Sequence, residues 1–448
     1  MRALSLHPRS RLPRLLALAA TLPTTTRAQD PHLAAVRTWL ATPTASRGVA
    51  PGEQTTLSKE QVAAWLPLLH EALRDGSRAL GEATLAAPAE DAEAATAQAL
   101  TVGTVTMPYV LFHKGERPAS GWPLFLCLHG GGGNAEATGP HAWDVNTGEW
   151  HAQQRLAARV YPAPGLYFVP RMADDRQGRW WFDHNQQAFD DVVRQAILFH
   201  DVDPDRVYLL GISEGGYGAI RFAAHRPDRF AGCNGMAAAE PLSTAPAEDM
   251  RNVALRIDIG ERDTMFDRIG LAQRMGARLA VLHEQDPAGY DHALAVQSNR
   301  GHGIDYGAGP RWLATKVRNP RPSRVVWTVQ PFHTTVPLQR HWLALPAVPT
   351  MLPLYVTATL RDNQLAITAE VDDPAKPGAR IAATAGSLCV RLDDALADLE
   401  RPLVVTVNGK ARGARQATRT LATMLRTLVE RGDVRLCLPA ELVVALGD

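Results

Sequence analysis

The chain has 448 residues, 46% of them hydrophobic, which allows a sizeable core and, at about 150 residues per domain, room for two to three domains. Lys and Arg total 47 against 46 Asp and Glu, a balance that argues against nucleic acid or an anionic membrane as the main partner. No apolar stretch reaches the roughly 18 residues of a membrane-spanning helix, so no transmembrane segment is expected.

The first residues carry Arg2, Arg9, Arg11 and Arg14, then a short apolar segment, Leu15 to Leu22, then "TRA" ending at Ala28. That order predicts an export signal over residues 1–28 and a mature protein in the periplasm or outside the cell. Residues 29–100 read as a helical, alanine-rich preface packed on the main domain. Within it, Ser58 and Gln61 have the spacing of a capping box, and Val62, Trp65, Leu66, Leu69 and Leu73 keep helical spacing. "PAEDAEAATAQA" reads as a helix or linker.

From Val102 the pattern changes. "VTMPYVLF", "PLFLCLHG", "LYFVP", "RVYLLGIS", "FAGCNGMA", "ALRIDIG" and "HALAVQS" have the length and composition of buried strands. Between them, Phe189, Val192, Val193, Ala196, Ile197 and His200 mark one helix face, and Ala272 to Leu282 a second helix. Strands alternating with helices predict an α/β domain over residues 101–346 with a mostly parallel sheet covered on both faces. Residues 350–448 read as a small, mostly β extension with one late helix in "TRTLATMLRTLVERG".

The four cysteines form no dense framework, and no CxxC or HExxH is present, so no zinc or other metal site is expected. Cys127 and Cys233 fall in apolar runs and read as buried thiols. Cys389 and Cys437 lie in C-terminal apolar segments, and only the geometry can tell whether they pair. "DVDPDR" opens like a calcium loop, but Arg206 stands where that loop needs glycine.

The chemistry concentrates in four short stretches. Gly211-Ile212-Ser213-Glu214-Gly215 is G-x-S-x-G, placed where a strand hands over to a helix. A nucleophilic serine at such a turn sits in a strained backbone. Its flanking glycines let strand and helix approach, and the N–H of Glu214 is available to an oxyanion. The alternative is an ordinary turn with Ser213 as N-cap. A serine hydroxyl needs a base. His302 lies in a glycine-flanked loop after the last strand; His283 and His292 sit in regular elements, where reach is poorer. Asp263 follows the strand ending at Gly260 and suits an acid that orients the imidazole, unless it caps the next helix. Asp258 would lie inside the strand and Asp267 inside the helix. "HGGGGN" follows an earlier strand, and Gly131 and Gly132 can offer N–H groups free of side-chain interference. His129 reads as a structural support of that loop. Trp180 and Trp181 are candidates for a substrate pocket, or else core or loop anchors; Arg171 suits a structural ion pair, with contact to a substrate carboxylate as the alternative, and the Glu214 carboxylate reads as solvated.

Together "HGGGGN", "GISEGGYG", "IGERD" and "GHGIDY" resemble the α/β-hydrolase superfamily. Within it, the likeness is to secreted bacterial esterases related to polyhydroxybutyrate depolymerases and feruloyl esterases; prolyl-oligopeptidase-type domains look similar too. The resemblance covers roughly residues 100–345. It implies Ser213 as nucleophile, His302 as base, Asp263 as acid, backbone oxyanion donors at Glu214, Gly131 and Gly132, an ester substrate and no cofactor. A serine peptidase acting on short peptides, and a non-catalytic binding module on the same fold, are the alternatives.

Overall fold

The computed structural model describes residues 31–447. The expected export signal lies outside the described residues.

Two helices open the fold, α1 (Pro31–Leu40) and α2 (Lys59–Ala79). The Ser58 side chain accepts from the Gln61 N–H at 3.3 Å while Gln61 Oε1 accepts from the Ser58 N–H at 2.8 Å, so the capping box closes in both directions. Leu69 and Leu73 are buried, but not against the α/β domain alone. They join Leu421, Leu425 and Leu428 of a late helix, and Leu198 belongs to the same cluster. The preface therefore bridges the beginning and the end of the chain.

The main sheet has eight strands: β1 (Gln98–Val102), β2 (Val105–Lys114), β3 (Trp122–Leu128), β4 (Gly165–Pro170), β5 (Val202–Ile212), β6 (Gly232–Met236), β7 (Ala254–Gly260) and β8 (His292–Gln297). Their order is β1-β2-β4-β3-β5-β6-β7-β8. β2 runs antiparallel to both its neighbours, and β3 to β8 are parallel. All seven expected strands are present. β1 is additional, and it replaces the end of the expected helical preface. "PAEDAEAATAQA" is no helix: Ala89 bridges Phe112, and the stretch then runs into β1.

Between the strands lie α3 (Asp144–Arg159), α4 (Asp183–Phe199), α5 (Glu214–His225) and α6 (Arg268–Gln285), followed by α7 (Ala308–Leu313). Strand alternation sends Leu124, Leu126 and Leu128 of β3 to one face, with Phe189 and Val192 of α4, Phe222 of α5 and Met275 of α6. Phe125 and Cys127 go to the other, with Trp150 of α3 and Leu313 of α7. The sheet is thus covered on both sides, which is why its parallel strands are apolar almost throughout.

The C-terminal unit starts earlier than residue 350. β9 (Arg324–Val329) pairs with β12 (Leu354–Arg361), Val325 opposite Ala358, and so belongs to a second sheet rather than to the α/β domain. β10 (Gln339–Arg340), β11 (Leu343–Ala344), β13 (Gln364–Asp372), β14 (Arg380–Ala382), β15 (Ser387–Leu392), β16 (Leu403–Val407), β17 (Lys410–Arg415), α8 (Leu421–Arg431) and β18 (Ala440–Ala445) complete it. One sheet runs β17-β16-β13-β12-β9 with β14 beside β13, the other β10-β11-β15-β18. Trp327, Val356 and Ile367 from the first share one core with Trp342, Leu388 and Val390 from the second.

Buried ion pairs fasten this unit to the α/β domain. Arg340 meets Asp249 at 3.0 Å and donates to the last carbonyls of α5, at Ala224 (2.7 Å) and His225 (3.3 Å). Arg318 joins Asp205 and Asp433 at 2.8 and 2.7 Å, and Arg431 joins Asp228 at 2.5 Å. All four cysteines are free, so Cys389 and Cys437 do not pair.

Candidate active site

Parallel strands end along one edge of a sheet, and the loops that follow them converge there. Four such loops meet here, after β3, β5, β7 and β8.

Ser213 follows β5 with φ 53° and ψ −114°, a sparsely populated conformation for a residue with a side chain. A Cβ on Gly211 would overlap the Gly215 carbonyl, and one on Gly215 would overlap the Leu128 carbonyl. Only glycine at both places lets β5, α5 and the end of β3 pack this closely. Ser213 occupies the N-cap position of α5, yet its side chain caps nothing. Its Oγ lies 3.1 Å from His302 Nε2 instead.

His302 Nδ1 lies 2.7 Å from Asp263 Oδ2. With the carboxylate accepting from Nδ1–H, Nε2 is left as the acceptor facing the serine hydroxyl. A Cβ on Gly260 would overlap the carbonyl of Gly301, and the Arg262 N–H donates to the Arg300 carbonyl at 2.8 Å. The acid loop and the histidine loop are therefore laced together just before the side chains meet. Asp263 caps no helix; it is buried, and its second oxygen accepts from Arg268 Nη1 at 3.0 Å. Arg268 Nε in turn donates to Tyr217 Oη at 2.6 Å, and Tyr217 stands one turn beyond Ser213 on α5. Arg268 has no signature in the sequence beyond being a charged residue near a candidate acid.

The competing residues are occupied elsewhere. Asp258 is bonded to Asn234 and Arg256, and Asp267 to Arg274. His283 and His292 bond the carbonyls of Gly289 and Tyr290. His292 opens β8, at the end of the sheet opposite the serine.

Gly130 approaches the serine closely enough that an added Cβ would lie 3.6 Å from the Ser213 Cβ. Gly131 takes φ 83°. Among the described residues the N–H groups of Gly131, Gly132 and Glu214 have no protein acceptor, so they remain available to a substrate oxygen. The loop is held from behind. His129 is fully buried; its Nε2 accepts from the Met172 N–H at 3.0 Å and its Nδ1 lies 2.5 Å from the Gly130 carbonyl. Burial holds this imidazole down, to about 4, so it stays neutral. Asn146 donates to the Gly132 carbonyl at 3.0 Å and to Asp175 at 2.6 Å. Arg171 pairs with Asp175 at 2.7 Å, the structural pair expected of it.

Two expectations change. Trp180 lines no pocket: it is fully buried, its indole N–H donates to the His129 carbonyl at 3.0 Å, and its ring packs where α5 carries Gly218. A buried indole needs such a partner, and here that partner belongs to the glycine loop. Trp181 is half-buried beneath the Arg221 guanidinium, 3.8 Å from its ring centre. The Glu214 carboxylate is not simply solvated. It is mostly buried, 3.5 Å from Arg179, and burial pushes its carboxyl up to about 7.

Among the described residues no cluster of three or more His, Cys, Asp or Glu is placed to hold a metal, and no helix is long and apolar enough to cross a membrane.

No family model matches the chain. "Putative esterase NocK" of Nocardia uniformis subsp. tsuyamanensis is 33% identical over 181 residues, 40% of this chain and 52% of that protein. The chain thus spans about half the length of the curated relative it matches. Among solved structures, a thermostable esterase is 18% identical with a TM-score of 0.36, covering 50% of this chain and 63% of its own. A ferulic acid esterase is 16% identical with a TM-score of 0.32, over 47% of this chain and 91% of its own. An S-formylglutathione hydrolase of Staphylococcus aureus is 14% identical with a TM-score of 0.33, over 50% of this chain and 99% of its own. The fold is read from the chain's own sheet: its strand order, its one inner antiparallel strand and its serine elbow after β5 give the chain an α/β-hydrolase domain.

Proposed function

We propose that the protein is a serine hydrolase acting on carboxylic esters. The observation that carries this reading is the line of hydrogen bonds from Ser213 through His302 to Asp263, 3.1 and 2.7 Å long, at a strained strand-to-helix turn. A serine, an imidazole and a buried carboxylate in series are what acyl transfer through a serine nucleophile requires. The relative named as an esterase supports the ester over other acyl substrates.

In this mechanism His302 Nε2 takes the Ser213 proton as Oγ bonds to the ester carbonyl carbon. The carbonyl oxygen, now an anion, rests on the N–H groups of Glu214 and of Gly131 and Gly132. Nε2 gives its proton to the leaving alkoxide, and the C–O bond to the alcohol breaks. Water then loses a proton to Nε2, attacks the acyl carbon and releases the acid, and Oγ recovers its proton. Asp263 keeps the imidazole in one tautomer and stabilises it while charged. Arg268 fixes the carboxylate from its far side. No cofactor enters the cycle. Export is proposed on the arginine-rich start and "TRA" alone, and an intact N-terminus on protein from its native host would exclude it.

A fluorophosphonate probe followed by peptide mass analysis tests the nucleophile. Labelling at Ser213, with parallel loss of turnover on a short ester, is expected. Labelling elsewhere in active enzyme overturns the assignment.

A further inference from the structure

The segment that carries Trp180 also carries Arg179, and its backbone is fixed on several sides. The Trp180 indole is anchored to the glycine loop. The Arg179 carbonyl accepts from the Phe182 N–H at 3.0 Å and from Asn185 Nδ2 at 2.8 Å. A Cβ on Gly133 would come within 2.7 Å of the Gly178 carbonyl, so the two loops lie flat on each other. The result places the Arg179 guanidinium over Gly132, where an added Cβ would be 2.6 Å from Nη1. Gly132 and Glu214 flank the place where the ester carbonyl would rest, and Arg179 reaches both.

This cation is incompletely used by the protein. Its Nε lies 3.5 Å from Glu214 Oε1, an ion pair too long to be a hydrogen bond, and that Oε1 has no hydrogen-bond partner among the described residues. Its Nη1 donates at 3.3 Å to the carbonyl of the adjacent Gly178, and Nη2 has no acceptor among the described residues. The Arg179 side chain is 38% exposed. The neighbouring Arg221 differs: it is committed to Glu240 at 2.8 Å and lies over the Trp181 ring. Three charged groups face Glu214, namely Arg179, Arg221 and Glu240, and its raised carboxyl leaves the Arg179 charge only partly countered near neutral pH. A guanidinium held on a rigid loop, with free donors toward solvent and beside the reacting carbonyl, matches the geometry of a carboxylate acceptor.

We propose that Arg179 selects esters that carry a carboxylate a few bonds from the reacting carbonyl. The proposal rests on the ester-hydrolase reading and adds to it the charge of the substrate. Arg179 is a binding residue in it, and the bond chemistry at Ser213 is unaltered.

The experiment compares kcat/KM on two charged and neutral pairs: monomethyl succinate with methyl pentanoate, which vary the acid side, and 2-carboxyethyl acetate with propyl acetate, which vary the alcohol side. Hydrolysis is followed by pH-stat titration in wild type, Arg179→Gln and Arg179→Lys. The charged-to-neutral ratio does not depend on the fraction of enzyme that folds. It should fall about tenfold or more in Arg179→Gln for at least one pair, with partial recovery in Arg179→Lys, which restores charge without the fork. Added salt should lower the wild-type ratio and leave that of Arg179→Gln flat. Ratios unchanged within about twofold for both pairs overturn the proposal, with the hydrolase reading intact. So does an equal loss on charged and neutral esters, which would place Arg179 at the reacting carbonyl or in the fold. If wild type hydrolyses none of the four, the hydrolase reading fails and this one with it.

Discussion

Glu214 gives the sharpest thermodynamic test of the site's construction. It stands next to the serine as the first residue of α5, and the packing of that helix draws its carboxyl out of water. Burial raises that carboxyl from 4.5 to about 7. The folded state therefore holds the proton more tightly than the unfolded chain. Its contribution is most favourable below the unfolded value of 4.5, falls as pH rises through the window up to about 7, and stays lost above it. A difference of roughly 2.5 units corresponds to about 3 kcal/mol at 1.36 kcal/mol each. Glu214→Gln keeps the shape and removes the ionisation. The Tm of the variant minus that of wild type should be near zero at pH 4.5 and grow to about 6–12 °C at pH 8, using 2–4 °C per kcal/mol. Calorimetric or fluorescence melting at half-unit steps measures it. Other groups add to the pH dependence in the same window, the buried His129 among them, since it stays neutral in the fold and can take a proton once unfolded, but they are common to both proteins and cancel in the difference. A difference that is flat from pH 4.5 to 8, or a variant less stable at pH 8, would refute the argument that burial rather than ion pairing governs this carboxyl.

The remaining predictions concern the triad and the clamp beneath α5. His302→Ala should lower kcat on a short ester by about three orders of magnitude or more, and Asp263→Asn by about 10⁴ with folding retained. His283→Ala and His292→Ala should stay near wild type, and a reversal of that ranking would remove His302 from the mechanism. Arg340→Ala should cost about 3–5 kcal/mol, because it leaves Asp249 buried without its cation. It also strips the α5 carbonyls of their donor, so denaturant melts should shift while the pH profile of any remaining activity does not. An unchanged midpoint would show that the C-terminal unit contributes little to holding the helix behind the serine.

Much of the α/β domain was legible because its signals are local. A strand buried on both faces must be apolar, and a strand-to-helix turn this tight must be flanked by glycine. β1 and β9 escaped for different reasons. β1 is a five-residue edge strand with three of its residues exposed, so its pattern barely departs from a loop. β9 has an unmistakable strand composition, but composition says nothing about which sheet a strand joins. That was settled by pairing with β12, thirty residues on. The two tryptophans illustrate the same limit. Paired aromatics in a loop near a candidate serine suit a pocket and an anchor equally well. Only the hydrogen bond from Trp180 to His129 and the cover of Trp181 by Arg221 distinguish the two.

By itself, the sequence determined where the turns and strands fall and which residue types stand at the ends of β3, β5, β7 and β8. Periodicity, glycine sterics and chain order act over a few residues and are written in the chain. Loop placement already favoured His302 over His283, but tertiary structure alone decided that Arg268 backs Asp263, that the Glu214 carboxyl is buried, and that Arg179 overhangs Gly132. Arg179 reaches Gly132 across 47 positions and Glu214 across 35, while Arg268, only five positions from Asp263, is held there by Tyr217, 51 positions back. The partners are fixed by sheet order and loop packing, and a charged residue in a sequence looks the same whichever partner it will find.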